Sequence, residues 1–331
     1  VISNYDAVVL GGGPAGCAAA IALARLGRSV VVFERSRYAA HRIGETFGAE
    51  LQPLLVSLGA HDALSAIAPV PFRGVRSAWG GSTLDERPSI AHPLGEGWHV
   101  DRRRFDEVLA RVAESAGAVL RIGSGACAIA PTADGFEVRP ASGDAASGRF
   151  LVDASGRGAP GSRTLLTKRR WLTWDRMVAL AGRTLPDRTY GDDHELLIET
   201  TEDGWWYSAP QPDGALIVAL MTDADLAPAG AHAELEGRWR STLATTTHTR
   251  ARIQNARLES LRIVRADSGM LDEDRSGRWL AIGDAAMACD PLTGDGVVRA
   301  IRSGIKAAEA IDRALGGSAL EPSDTRARFL T

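Results

Sequence analysis

The feature that most constrains this chain is a strand that runs without a break into a glycine turn. Tyr5 to Leu10 (YDAVVL) is a short apolar run of the kind that fills a parallel sheet covered on both faces. Gly11-Gly12-Gly13-Pro14-Ala15-Gly16 follows directly. An alanine-rich segment from Ala15 to Leu26 then reads as a helix closed by Gly27. A second strand, Ser29 to Phe33, ends at Glu34. Strand, G-x-G-x-x-G, helix, strand and terminal acid in this order make a βαβ dinucleotide-binding unit. Gly11 permits the tight turn, Gly13 lets the backbone approach a pyrophosphate, and Gly16 lets helix and strand pack closely. The helix that starts at Pro14 offers the free N–H groups of Ala15 and the residues after it, and a positive dipole end, to phosphates. Glu34, with Arg35 beside it, stands where an acid accepts ribose hydroxyls, which disfavours a 2′-phosphate and hence NADP at this site.

The remaining chain is read from period and punctuation. Leu51, Leu54, Leu55 and Leu58 mark a helix ending at Gly59. Short strands with Pro and Gly fill 70–98. Asp101 is placed to cap a helix carrying Phe105, Val108, Leu109 and Val112 on one face. Strands are predicted at 118–122, 126–130, 135–139 and 149–152, the last ending in Asp153 and Gly156. Strands at 177–184, 194–200, 204–209 and 215–222, divided by turns such as Pro210-Gln211-Pro212-Asp213-Gly214, read as an antiparallel meander. A polar helix is predicted at 232–246. The α/β pattern returns at Arg278–Ile282, then Gly283-Asp284, then a helix marked by Val297, Ile301, Ile305, Ala308 and Ile311.

Bulk composition removes other classes. A formal charge of −3 leaves no electrostatic footprint for nucleic acid. No apolar run is long enough to span a bilayer, and the start reads as a strand lead-in, not a signal peptide. Cys17, Cys127 and Cys289 are scattered without metal-ligand spacing. They read as small hydrophobes in a reducing compartment, so a cytoplasmic location without metal, nucleic-acid or membrane partner is expected. No second strand-GxGxxG-helix unit appears, which argues against a dedicated NAD(P) domain.

The segment WLAIGDAAMACDPLTGDGVVRAIRSG, with GGGPAG, DASG and HVDRRRFD, resembles the fingerprints of the aromatic-hydroxylase flavoproteins and the related flavin-dependent halogenases. The resemblance covers most of the chain. It implies an α/β fold with a Rossmann-like FAD-binding domain of the glutathione-reductase, p-hydroxybenzoate hydroxylase-like type, and an inserted antiparallel-sheet substrate domain. The expected division is 1–70, 98–170 and 265–331 for FAD, and 71–97 with 171–264 for substrate. By the same resemblance Asp284, after Gly283, holds the ribityl chain of FAD. Pro291, Gly294 and Gly296 form the loop beneath the isoalloxazine ring. Arg102 sits on the pyrophosphate, Cys127 lies near adenine, and Asp153 and Gly156 pack close to the cofactor. Glu45 and Thr46 are candidate flavin contacts. For Arg102 a solvated helix face shared with Arg103 and Arg104 is the alternative, and for Cys127 core filling.

RIGETFGAELQPLLVSLG (42–59) and DGWWYSAPQPDGALIVALMTDADL (203–226) also resemble the flavoprotein maturases of tryptophylquinone enzymes, whose substrate is a Trp side chain of a partner protein. Halogenases of this fold use a lysine near the flavin in the N-terminal half, and this chain has lysine only at Lys168 and Lys306. The expected activity is therefore FAD-dependent monooxygenation of an indole-type ring, through a flavin C4a-hydroperoxide formed from molecular oxygen. Its electron donor is NAD(P)H or a separate flavin reductase, and its expected target is a peptidyl Trp of a quinoprotein precursor. The alternatives are a small-molecule aromatic hydroxylase, a halogenase, and a non-catalytic flavin-binding assembly factor. Trp205, Trp206 and Tyr207 lie on one predicted strand, either as substrate contacts or as sheet core.

Overall fold

The computed structural model describes residues 2–158, 171–186, 193–228, 232–272, 277–318 and 320. The strand Ser3–Leu10 lies at the centre of a seven-stranded sheet. Val30–Glu34 pairs with it in parallel on one side and Ala146–Asp153 on the other, with Val8 opposite both Val31 and Leu151. Val119–Ile122 continues the parallel run beyond Val30–Glu34, and Trp279–Ala281 adds in parallel to Ala146–Asp153. The hairpin Cys127–Pro131 and Phe136–Pro140 closes the sheet in antiparallel pairing.

The inner parts of the central strands, Ala7–Leu10, Val30–Phe33 and Phe150–Val152, are continuous apolar runs because both faces are covered. On one face Ala7, Val9, Val30 and Val32 pack under the helices Pro14–Arg25, Arg102–Ser115 and Gly296–Leu315. On the other, Val8, Leu10, Val31 and Leu151 meet Ile129, Val138 and Trp279. Asp101 caps its helix as expected, accepting from the Arg103 N–H at 2.9 Å. The first and last of these helices touch backbone to backbone: a Cβ on Gly304 would lie 2.4 Å from the Ala15 carbonyl oxygen.

The second sheet also has seven strands. Their order is Arg257–Arg265, Met177–Leu185, Leu216–Asp223, Gly204–Pro210, Glu195–Thr201, Gly74–Ala78 and Asp85–Pro88. Two departures from the sequence reading stand out. Glu195–Thr201 and Gly74–Ala78 pair in parallel, so the meander is antiparallel only up to that point. The strand Arg257–Arg265 has no apolar alternation to announce it; it is a charged edge strand, a pattern that blocks further edge pairing. Side chains alternate across this sheet. Leu180, Trp206, Val218 and Leu220 face the helix His232–Leu243, whereas Ala179, Ala181, Trp205, Tyr207, Ala209 and Ala219 share the opposite face with Ile43 and Ala266. A small sheet of Thr46–Phe47, Gly97–His99 and Val70–Phe72 fixes the segment entering that face. Among the described residues no helix is long and apolar enough to cross a membrane.

Candidate functional site

Each glycine of the first turn meets a different constraint. Gly11 has φ +101°, and a Cβ there would lie 2.4 Å from the Ala154 carbonyl oxygen. A Cβ on Gly16 would lie 1.9 Å from the Gly11 carbonyl oxygen. Both positions are closed by the protein's own backbone. Gly13 is the opposite case, since a Cβ there meets no described atom within 4 Å. It precedes the Pro14–Arg25 helix, which has no side-chain cap and no acid in its first turn. The orphan N–H groups of this helix start, which begin at Ala15 because Pro14 has none, and its positive dipole end are therefore left without a side-chain cap beside the open space at Gly13.

Glu34 is buried at the tip of its strand. Its Oε2 accepts from the Gly12 N–H at 2.7 Å, and its Oε1 accepts from the Ser36 N–H and hydroxyl. Oε2 keeps room for one further donor. The Tyr38 hydroxyl donates to the Gly12 carbonyl at 2.8 Å and stiffens the turn from outside. Ser124 donates its N–H and hydroxyl to the Glu34 carbonyl, which brings half-buried Cys127 to this end of the sheet. Burial pushes the Cys127 thiol up, so it stays protonated. Arg35 points into solvent.

Arg102 is committed elsewhere than a solvated face. Its Nε and Nη2 donate to fully buried Asp106 at 3.1 and 3.2 Å, and its Nη1 donates to the carbonyls of Ile43 and Gly44 at 3.0 Å each. It fastens the 43–46 segment to the helix and retains one Nη2 proton. The cation left partly exposed beside the turn is Arg42, which holds Asp106 at 2.8 Å and Ser36 Oγ at 2.9 Å. The sequence reading passed over Arg42; the Arg102–Asp106 spacing of four on one helix was the available clue to this network.

The C-terminal motif closes on the same place. Gly283 has φ +56°, and a Cβ there would lie 2.9 Å from the Ala15 Cβ. The Ile282 N–H donates to the Asp153 carbonyl at 2.9 Å, and Asp153 Oδ1 accepts from the Ser155 N–H, setting up the turn to Gly156. Asp284 Oδ2 accepts from Arg157 Nε at 3.0 Å. Arg157 also donates to the Asp267 carbonyl at 3.0 Å and the Cys289 carbonyl at 2.9 Å. It is a brace that the sequence reading missed. Beyond it Pro291–Thr293 forms one 3₁₀ turn, Gly294 adopts φ +67°, and the Gly296–Leu315 helix begins without a side-chain cap. Gly156, Gly294 and Gly296 each have open space where a Cβ would stand. Arg157→Ala is expected to cost about 2 kcal/mol, from one charged donor with three fixed acceptors, and Arg157→Lys to recover little of it. Thermal melts with and without added FAD check this.

The second sheet separates the three aromatic candidates. Trp205 and Tyr207 face Ile43 and Ala266. Trp206 points the other way and packs edge-on against Trp239, with ring centroids 5.5 Å apart. It is sheet core and leaves the substrate list, because successive strand residues point to opposite faces. Trp206→Ala should cost about 3–5 kcal/mol without a specific effect on flavin binding; a chemical melt read beside a flavin titration tests both halves.

Glu45 is buried at the edge of this face. Its Oε2 accepts from the Gly44 N–H at 2.9 Å, and burial raises its pKa to about 7 against the pull of those backbone bonds, Tyr207 and Arg102. Thr46 lies 2.9 Å from His99 Nδ1, and His99 Nε2 lies 2.9 Å from the His194 carbonyl. Burial lowers the His99 pKa to about 4, so the ring is neutral; Nε2 carries the proton, and the Thr46 hydroxyl donates to Nδ1. Lys306 lies on the last helix, and Lys168 lies outside the described residues. Among the described residues no acid, His and Cys group could hold a metal.

Two uncapped helix starts, a strand-end acid with a free lone pair, and four glycines fronting open space fit a dinucleotide with a long polar chain. The tryptophan halogenase family model matches residues 81–327, and an NAD(P)-binding Rossmann-like domain model matches residues 9–61. LodB of Marinomonas mediterranea, named as an FAD-dependent oxidoreductase, is 27% identical over 319 residues, covering 94% of this chain and 85% of that protein. The tryptophan 2-halogenase of Chondromyces crocatus is 28% identical over 331 residues, covering 95% of this chain and 62% of that protein. The flavin-dependent halogenase CmlS superposes with a TM-score of 0.84 at 28% identity, covering 96% of this chain and 60% of that one. The chain thus spans less than two thirds of the length of those two halogenases. With its fold, its paired glycine turns and the family-model match over 81–327 in agreement, the chain belongs to the tryptophan halogenase family of FAD-binding oxidoreductases.

Proposed function

We propose that this protein is an FAD-dependent monooxygenase that hydroxylates an indole-type ring, with a peptidyl Trp of a quinoprotein precursor as its target. The observation that carries the reading is the lysine distribution. The chain has the family's flavin motifs but no lysine before Lys168, where halogenation on this fold needs one. The likeness to LodB over 85% of that protein's length, and the 42–59 and 203–226 segments, support the same choice.

Bound and reduced, FAD would supply oxygen activation and hydroxyl transfer; the protein supplies binding, orientation and a dry site. The N–H groups of Gly13, Ala15 and Gly16 would take the pyrophosphate, with Arg42 and the remaining Arg102 proton as nearby cations. Glu34 Oε2 would accept a ribose hydroxyl, and Asp284, braced by Arg157, a ribityl hydroxyl. The uncapped start of the Gly296–Leu315 helix would stabilise negative charge on the ring edge. Trp205 and Tyr207 lie on the face of the second sheet that turns toward Ile43, buried among Ala179, Ala181, Ala209 and Ala219, and would be the nearest aromatic side chains to a ring held at that edge. Electrons come from NAD(P)H or a separate flavin reductase, and the co-substrate is molecular oxygen.

Halogenation is the second reading, favoured by the family model itself. The two separate in one assay: reduced holoprotein, a Trp-containing peptide, chloride, and isotopically labelled oxygen. Hydroxylation puts labelled oxygen on the indole ring. Chlorine on the ring instead overturns the proposal.

A further inference from the structure

We infer that Glu45 and Tyr207 together form the hydrogen-bond acceptor that fixes a ring N–H or O–H at the junction of the two sheets, Glu45 taking the hydrogen and Tyr207 positioning it. The inference deepens the function proposed above and rests on it. Glu45 Oε1 and the Tyr207 hydroxyl are both buried, and apart from their approach to each other, which falls short of full hydrogen-bond geometry, neither has a partner among the described residues. They lie 162 positions apart in sequence, Glu45 in the segment just before the strand Thr46–Phe47 and Tyr207 on the strand Gly204–Pro210, and they face one another. Buried polar atoms without partners are rare in native proteins, and two side by side point to a group received from outside.

The chemistry of that group follows from its surroundings. Glu45 Oε2 is already taken by the Gly44 N–H, so Oε1 is the atom on offer. A carboxylate oxygen wants a donor. The Tyr207 hydroxyl can fill one of its lone pairs, and an incoming N–H or O–H the other. The neighbouring cations are held elsewhere: Arg102 donates to Asp106, Ile43 and Gly44, and Arg262, which faces Tyr207, donates to the His41 carbonyl. His99, behind Thr46, is neutral and doubly bonded. The surroundings of the pair on the sheet side are apolar, with Ala179, Ala181, Ala209 and Ala219 packed around Tyr207. An indole N–H and the imide N–H of a flavin both have this chemistry.

The test follows the Glu45 carboxyl by infrared difference spectra, wild type minus Glu45→Gln, titrated from about pH 5 to 9. Spectra are taken without ligand, with FAD, and with FAD plus indole or 1-methylindole. Indole should lower the midpoint by about one pH unit or more, because a donor favours the charged form, and 1-methylindole, lacking the N–H, should not. A shift with FAD alone, unchanged by indole, assigns the donor to the flavin. Tyr207→Phe should raise the midpoint, since it removes a group that favours the anion, and provides a second readout if Glu45→Gln misfolds. A midpoint that no ligand moves, or that 1-methylindole moves as far as indole, overturns the inference. Peptide hydroxylation could persist with an unmoved midpoint, and a moved midpoint could occur without hydroxylation, so the two readings fail separately.

Discussion

Gly13→Ala will leave the protein folded and remove its FAD, whereas Gly16→Ala will damage both. The two glycines belong to one motif, yet their surroundings are opposite. A methyl on Gly16 must displace the Gly11 carbonyl oxygen, 1.9 Å from the ideal Cβ, and that oxygen sits in the tightest part of the turn. Overpacking against backbone in a core costs about 3 kcal/mol, and more where neither side can retreat. Gly13 has φ −79° and ψ −173°, which any residue adopts, and its Cβ would meet nothing described within 4 Å. Its effect on the unliganded protein should stay within about 1 kcal/mol, since the gain in chain stiffness and the poorer helix cap nearly cancel. The added methyl would occupy the space a pyrophosphate needs, so FAD affinity should fall at least about tenfold. Melts of the apo proteins beside flavin-fluorescence titrations distinguish these outcomes. Equal FAD affinity in wild type and Gly13→Ala would mean that the phosphates lie elsewhere.

Glu45→Gln should stabilise the protein, and only above the acid range. Burial raises the Glu45 pKa from 4.5 to about 7, so the folded protein holds this proton more tightly than the unfolded chain does. The stability that the group contributes is complete below pH 4.5 and is lost as pH rises through about 7. Above that, ionised Glu45 costs the fold about 3 kcal/mol, an upper figure since the site can relax. Glutamine carries no charge and keeps an acceptor for the Gly44 N–H. The variant should therefore match wild type near pH 4 and melt well above it at pH 8, with weaker activity. Parallel denaturation curves at both pH values check the sign. A variant less stable than wild type at pH 8 would show that the carboxylate is well paired in the folded state. Keeping such a group is reasonable only where function uses it.

What was legible in the sequence was whatever lies in one local window. The strand, glycine turn, helix and acid of residues 5–34 follow from backbone requirements that only certain residues meet. The Asp101 cap and the Gly283-Asp284 exit are equally local. Arg42 and Arg157 were not legible, because their partners lie 64 and 127 positions away and nothing in the local pattern marks either pairing. Arg102 was visible as a site residue, but its use as a fastener for Ile43 and Gly44 depends on how a loop returns to the helix. The parallel pairing of Glu195–Thr201 with Gly74–Ala78 is a matter of chain return, which strand propensity does not encode. Alternation alone does separate Trp206 from Trp205 and Tyr207; which of the two faces turns toward Ile43 needed the helix His232–Leu243 to be seen covering the other.

The central claim is oxygen transfer to a tryptophan of another protein. It is tested most directly by co-expressing this protein with a tryptophylquinone-enzyme precursor and reading the precursor's Trp residues by peptide mass spectrometry. The account predicts one or more added oxygen atoms on a specific Trp with the wild-type protein, and none with the FAD-deficient Gly13→Ala variant. An unmodified precursor in the presence of fully FAD-loaded protein, or a chlorinated Trp, would contradict it.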